Sequence, residues 1–381
     1  MSILESSFNG ARLKAARQYN AMTIGDVANF LDVTNQSISQ FENNKIDPKP
    51  ENLFALCNLL GFPREYFFEE DSSKITIGNT YFRSLSSTAK KDRNAQVEKV
   101  KLVAKIFEGI EKHISFPAFD LESSDKMDAE ELAKMVREQW NLGEGPIYNI
   151  IDVMESHGVV ITSAFENSKG IDAYSHVEVI NKKAVPIVVL GYEKNAFRQQ
   201  FNAAHELGHI LTDGVFDVEE MSKAEYKNME NLMNQFSGTL LIPKDMYLKD
   251  LYPSGKTDIK LYIELKKKYR VSAAALIVRA YQLNAITANQ YQYLMKQISQ
   301  HGYRLEEPYD METPICKPRY LKHAMKMIIE DKNVSGSEFI NTLKSFNLSL
   351  HKGMIEKLIG LEEGYLGDNN HTGTVHLLNR V

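Results

Sequence analysis

The chain has 381 residues, 43% of them hydrophobic and 25% charged, with a formal net charge of -5. This describes a soluble globular protein of two or three domains, and the charge balance does not by itself advertise nucleic-acid binding. Cys57 and Cys316 are the only cysteines and have no CxxC partner, which excludes a disulfide framework or a Cys-ligated zinc ribbon and fits a reducing cytoplasm. The polar amino terminus, with Glu5, lacks the apolar core of an export signal. No run approaches about 18 apolar residues, so a cytoplasmic protein without a membrane span is expected.

Residues 1–72 are expected to form an all-helical unit. Thr23 caps a helix over 24–31, Asp32-Val33 makes a turn, Thr34 caps a helix over 35–42, and Gly61 closes a helix that begins at Pro50. The two helices flanking Asp32-Val33 are short and joined tightly, as in a helix-turn-helix that presents its second helix to a major groove. Asn35, Gln36 and Gln40 are candidate base contacts because an amide both donates and accepts, as adenine requires; Ser37 and Ser39 are candidate phosphate or base contacts. Ile38, Phe41, Leu31, Ala28 and Leu13 belong to the core. Residues 1–70 hold six Lys and Arg against nine Asp and Glu. Nonspecific DNA affinity is therefore weak, and a homodimer would restore it by presenting two recognition helices to one operator. The segment resembles the XRE group of phage-repressor-type helix-turn-helix domains, most tellingly from Thr34 to Lys45, which implies double-stranded operator DNA as a partner.

Residues 73–125 read as a basic helical connector, with apolar positions such as Val97, Val100, Val103, Ile106 and Ile110 suited to helix packing. Within 126–255, helices are expected from Asp128 to Trp140 and up to Met154. Strands follow at 158–161, 171–174 and 186–190, and they could bind an extended substrate backbone as an added strand. Residues 256–366 return to helices, and 367–381 are expected to be a disordered tail.

The strongest chemical signal is His205-Glu206-Leu207-Gly208-His209. Residues four apart on a helix share a face about 6 Å apart, so both imidazoles reach one zinc ion, while Glu206 is placed to take a proton from water. Phe197, Phe201, Ala204, Leu207 and Leu211 give this helix an apolar face, and Arg198, Gln199 and Gln200 give it a polar start. Gly208 costs about 1 kcal/mol relative to Ala, which points to a close approach of backbone or metal ligands. A catalytic zinc needs a third protein ligand. Val215 stands where a metzincin has its third His, which excludes that class. The candidates are Glu230, on a second helix ended by Pro243, with Asp213 and Glu225 as rivals. Asn234, four residues after Glu230, could hydrogen-bond a ligand His, and Asp213 could support one from the same face as His209. Tyr174, Tyr192 and Tyr226 are candidate transition-state donors. His176 is expected to be a surface or core histidine.

With its flanks, this region resembles the ImmA/IrrE family of metallopeptidases, in which a fused XRE domain is common. The matching segments are Phe82-Arg83-Ser84, Gly145-Pro146-Ile147, Gly158-Val159, Arg198 through His209, Asn234 with Phe236, Leu240 to Pro243, Val271-Ser272 and Ala275-Leu276. The resemblance implies Zn2+ held by His205, His209 and Glu230, Glu206 as general base, and a protein substrate that is often a transcriptional repressor. It also allows relatives that act as regulators or antitoxins. Asp213 stands where many members have His, and Met233 and Ser237 replace Ala. The expected fold class is α+β and predominantly helical: an N-terminal all-α helix-turn-helix domain, then a zincin-like HExxH domain with a small sheet and a helical C-terminal region. The expected function is a DNA-binding regulator with a zinc-dependent endopeptidase domain, or a noncatalytic regulator built on that scaffold.

Overall fold

The computed structural model describes residues 7–70, 89–124, 128–163, 173–191, 195–212, 221–252 and 255–367. The expectations for Asp213, Tyr192, Phe82-Arg83-Ser84 and the tail from 368 fall outside these residues. Among the described residues the chain is predominantly helical with one small sheet, and it divides into two compact units.

The first unit begins with α1 (Gly10–Tyr19), α2 (Ile24–Leu31), α3 (Asn35–Glu42), α4 (Pro50–Leu60) and a 3-10 turn at Arg64–Phe68. Local chemistry sets these boundaries. Thr23 and Asp26 form a reciprocal capping box at α2, Thr34 accepts from Ser37 N at α3, and Gly61 ends α4 at φ 71°. Asp32 takes the left-handed conformation that turns the chain between α2 and α3. Gly10 lets α1 meet the end of α3, since a Cβ there would lie 2.1 Å from Phe41 O. Arg17 pairs with Glu42 in a buried, two-pronged bridge at 2.6 and 3.0 Å, tying α1 to α3.

The same unit contains α5 (Lys90–Ile110) and, from the far end of the chain, α14 (Tyr320–Glu330), α15 (Gly336–Lys344) and α16 (Lys352–Ile359). The linear division at 72/73 and at 255/256 does not anticipate this grouping. The basic connector helix packs against α1 and against all three C-terminal helices. Its apolar stripe, Val100, Val103, Ile106 and Ile110, is fully buried.

The second unit, from 117 to 318, contains α6 (Ala129–Gln139), α7 (Ile150–Ser156), β1 (Val160–Ser163), β2 (Ala173–Ile180), β3 (Lys183–Leu190), α8 (Ala196–Leu211) and α9 (Lys223–Leu241). It continues with α10 (Lys244–Leu251), α11 (Ile259–Tyr269), α12 (Ala273–Gln282) and α13 (Ala288–Gln300). The sheet order is β1-β3-β2, with β1 parallel and β2 antiparallel to the central β3. β2 is longer than its sequence expectation. Asn181 and Lys182 both take positive φ, at 50° and 65°, and close a two-residue hairpin that pairs Ile180 with Lys183.

α8 packs on β2 and on α9, and α9 also packs on α6. Leu207, Leu211, Met233, Phe236 and Leu240 are fully buried between these elements. Each such side chain contributes about 1.5–3 kcal/mol on burial. The end of α9, where helix carbonyls lose their partners, is pinned by two arginines. Arg137 donates to Leu240 O at 2.7 and 2.9 Å, and Arg279 donates to Ile242 O at 3.2 Å while also pairing with Glu130.

Candidate metal centre and nucleic-acid interface

Helix α8 carries His205, Glu206 and His209, and its neighbour α9 carries Glu230 and Asn234. Their close packing depends on Gly208. A Cβ at that position would lie 2.8 Å from Met233 Sδ and 3.0 Å from Phe236 Cδ1. The close approach expected at Gly208 is therefore made by side chains of the second helix. Met233 fills this contact.

Among the described residues, the one group of histidine, cysteine and carboxylate side chains able to hold a metal ion is His205, His209 and Glu230. The Nε2 atoms of the two imidazoles are 3.1 Å apart. His205 Nε2 lies 3.3 Å from Glu230 Oε2, and His209 Nε2 lies 3.5 Å from Glu230 Oε1. Four ligands around a zinc ion at about 2.0–2.1 Å define a tetrahedron with edges of roughly 3.3 Å, so these separations fit three of its corners. Glu230 Oε1 is buried and hydrogen-bonds to no described residue. His205 Nδ1 lies 3.2 Å from Asn234 Oδ1. With His205 Nδ1 donating its proton to Asn234 Oδ1, the Nε2 lone pair of His205 is aimed at the same point as that of His209.

The electrostatics follow from this crowding. Burial alone would lower the His205 pKa, but the hydrogen bond to Glu230 and the negative field of Glu206 and Glu230 outweigh it, and the net shift is upward. Burial pushes the Glu230 carboxyl up, yet the two imidazoles pull it further down and hold it ionised well below the usual carboxylate range.

Glu206 is buried beneath β2, where Ser175 Oγ donates to its Oε2 at 2.7 Å. Sequence reasoning missed Ser175, whose only signal is a small hydroxyl residue on a strand beside the motif helix. Strand alternation turns Tyr174 to the opposite face of the sheet, away from Glu206. This corrects its candidacy as a transition-state donor. Tyr226 sits on the first turn of α9, one turn before Glu230. His176 pairs with Glu178 at 3.1 Å on the Tyr174 face, apart from the three converging residues. Glu225 is taken up by a capping box with Ser222 at the start of α9, which removes it as a rival ligand.

The polar start of α8 is not a solvated face. Gln200 accepts from Ile150 N at 2.6 Å and donates to Tyr148 O at 3.0 Å, and Gln199 accepts from Cys316 N at 2.9 Å. Both glutamines are buried, and Arg198 alone of the three is exposed. The glutamines thus fix the orientation of the motif helix within its unit.

In the first unit, Asn35 and Gln36 stand exposed at the start of α3, while Ser37, Ser39 and Gln40 are half-buried. Ser37 is engaged with the Thr34 cap, and Asn43 donates to Ser39 O at 2.7 Å. Ile38 and Phe41 face the core. The freest side chains for base edges are therefore Asn35 and Gln36.

Comparison with known proteins adds two matches. A protein-family model described as an IrrE N-terminal-like domain, from a peptidase family, matches residues 154–281, a span that contains every residue of the candidate metal centre. A model described as a helix-turn-helix domain matches residues 10–71, from α1 through the 3-10 turn. No curated protein matches the chain.

Proposed function

Because the chain joins an XRE-type helix-turn-helix domain to an ImmA/IrrE-type peptidase-like domain, we propose that it is a DNA-binding regulator whose second unit is a zinc-dependent endopeptidase acting on a regulatory protein. The observation that carries this reading is the convergence of His205, His209 and Glu230 next to Glu206, a carboxylate that Ser175 already holds in place.

His205, His209 and Glu230 would hold the ion, and Asn234 would fix the His205 ring. When bound, zinc polarises a scissile carbonyl and makes water a better nucleophile. Glu206 accepts a proton from the attacking water and passes it to the departing amine, so that one C–O bond forms and one C–N bond breaks. Ser175 keeps the Glu206 carboxylate turned toward that point. Among the described strands β2 lies at the edge of the sheet, paired on one side with β3, and its other edge can accept an extended substrate backbone. In the first unit, Asn35 and Gln36 read bases of an operator, with Ser37, Ser39 and Gln40 in supporting contacts. No described helix is long and apolar enough to cross a membrane.

The reading is tested by incubating the zinc-supplied protein and its Glu206→Gln variant with repressors encoded beside its gene. Cleavage by the parent and not by the variant is expected. Equal signal response and repression by both, with no repressor cut, would favour a noncatalytic regulator.

A further inference from the structure

A groove leads away from the candidate metal centre along the first half of α8. It consists of two adjoining hollows that share Phe201 and Ala275. One, of about 320 Å³, reaches Asn234, the partner of His205. The other, of about 610 Å³, reaches Asn202, Arg198 and Arg304. Arg198, Asn202 and His205 lie on one helical face, seven residues from first to last, which is roughly 10 Å along the axis.

At the far end of the groove Arg198 and Arg304, with buried Lys266 behind them, outnumber Glu307 and Asp310 by one charge. Its carboxylates, Glu307 and Asp310, share buried Lys266, whose single positive charge offsets one of their two negative charges, and Glu307 also accepts from Ala273 N at 2.8 Å and Ala274 N at 3.3 Å. Arg304 donates through Nε to Ser299 Oγ at 2.7 Å, which leaves its terminal nitrogens available. Among the described residues, neither Arg198 nor Arg304 pairs with a carboxylate. Asn202 Nδ2 is a buried donor that no described residue accepts, and it lines this same hollow. Apolar walls, an unanswered amide and two guanidinium groups describe a site for an extended peptide that carries a carboxylate.

We propose that this groove binds the substrate chain on one side of the scissile bond and selects an acidic residue about three positions from it, through Arg198 and Arg304. The roughly 10 Å of helix between Arg198 and His205 corresponds to about three residues of extended chain, which advances about 3.3–3.6 Å per residue. The proposal rests on the peptidase reading above for its orientation, and on the groove itself for its chemistry. A carboxylate could come from an Asp or Glu side chain or from a chain terminus.

The test uses the full chain supplied with zinc and two pools of short randomised peptides, one containing Asp and Glu and one with Asn and Gln in their place. Cut sites are profiled for the parent, Arg198→Gln, Arg304→Gln, the double variant and Arg198→Lys. Peptides retained by the Glu206→Gln protein, with and without the arginine changes, are sequenced in parallel. The expected result is Asp or Glu enriched at a fixed position about three residues from the cut, with that enrichment falling about tenfold or more in the double variant and less in Arg198→Lys. Cuts clustered at a fixed distance from peptide ends, without internal acidic preference, would assign the site to a terminal carboxylate and overturn the side-chain form of the proposal. Cleavage with no acidic preference, or a preference untouched in the double variant, overturns it entirely. Absence of cleavage together with arginine-dependent retention of the acidic pool would leave the groove standing and remove the peptidase reading. Absence of both removes the two together.

Discussion

Ser175 Oγ donates a hydrogen bond of 2.7 Å to Glu206 Oε2, joining the edge strand β2 to the carboxylate of the HExxH motif. The bond spans 31 residues and is made across the contact between β2 and α8. A hydrogen bond to a charged group is worth about 1.5–3 kcal/mol, and here it restricts Glu206 to one orientation. Ser175→Ala is expected to lower the turnover of a cleaved protein substrate by about tenfold while leaving zinc content near that of the parent. Loss of zinc together with activity would show instead that Ser175 supports the fold of the metal centre.

Gly208 and Met233 set the spacing of the two site helices. Gly208→Ala gains up to about 1 kcal/mol of helix propensity but forces Met233 and Phe236 aside, an overpacking cost of about 1–3 kcal/mol. A net fall in melting temperature is expected, and adding Met233→Ala should recover much of the Gly208→Ala loss, measured as a coupling in a double-mutant cycle. Purely additive effects would mean that this contact does not limit the approach of α9 to α8.

Much of this architecture was legible because its determinants are local. Thr23, Thr34 and Gly61 announce the ends of the first-unit helices within a few residues, and the HExxH spacing places two imidazoles on one face by helix geometry alone. The departures involve partners that are distant in sequence. Gln199 and Gln200 look like a solvated start to α8, yet their partners lie 117 and 50 residues away. Glu225 looks like a metal ligand by type, but the capping requirement of α9 claims it first. The joining of α14 to α16 with the N-terminal helices has no local signal, because it is decided by which apolar face the stripe of α5 meets.

Lys99 gives the first unit a pH signature. It is 3% exposed on α5, and burial, aided by the positive charge of Lys357, lowers its pKa to about 7. An unfolded Lys titrates near 10.4, so between about pH 7 and pH 10.4 the unfolded chain holds a proton that the folded chain lacks. This residue's contribution therefore makes stability rise with pH through that window, and below pH 7 its full cost is present. Lys99→Met is expected to stabilise the protein at pH 6 to 7 and to flatten the rise, as read by denaturant unfolding across pH. A variant no more stable than the parent at pH 6 would contradict this account of Lys99.

Asn35 and Gln36 are the exposed amides at the start of α3. Once an operator is in hand, Asn35→Ala and Gln36→Ala are each expected to cost about 1–3 kcal/mol in specific binding, with little change in the salt dependence. Fluorescence anisotropy against operator and scrambled duplexes checks this. An equal loss on both duplexes would assign these side chains to phosphate contacts.

Whether His205, His209 and Glu230 form a zinc site is decided by elemental analysis of protein purified without added metal. About one zinc per chain is expected in the parent, with a clear loss in Glu230→Gln and in His205→Ala at retained helical content. A parent that remains free of zinc after the metal is supplied would contradict the account and leave a DNA-binding regulator on a peptidase-like scaffold.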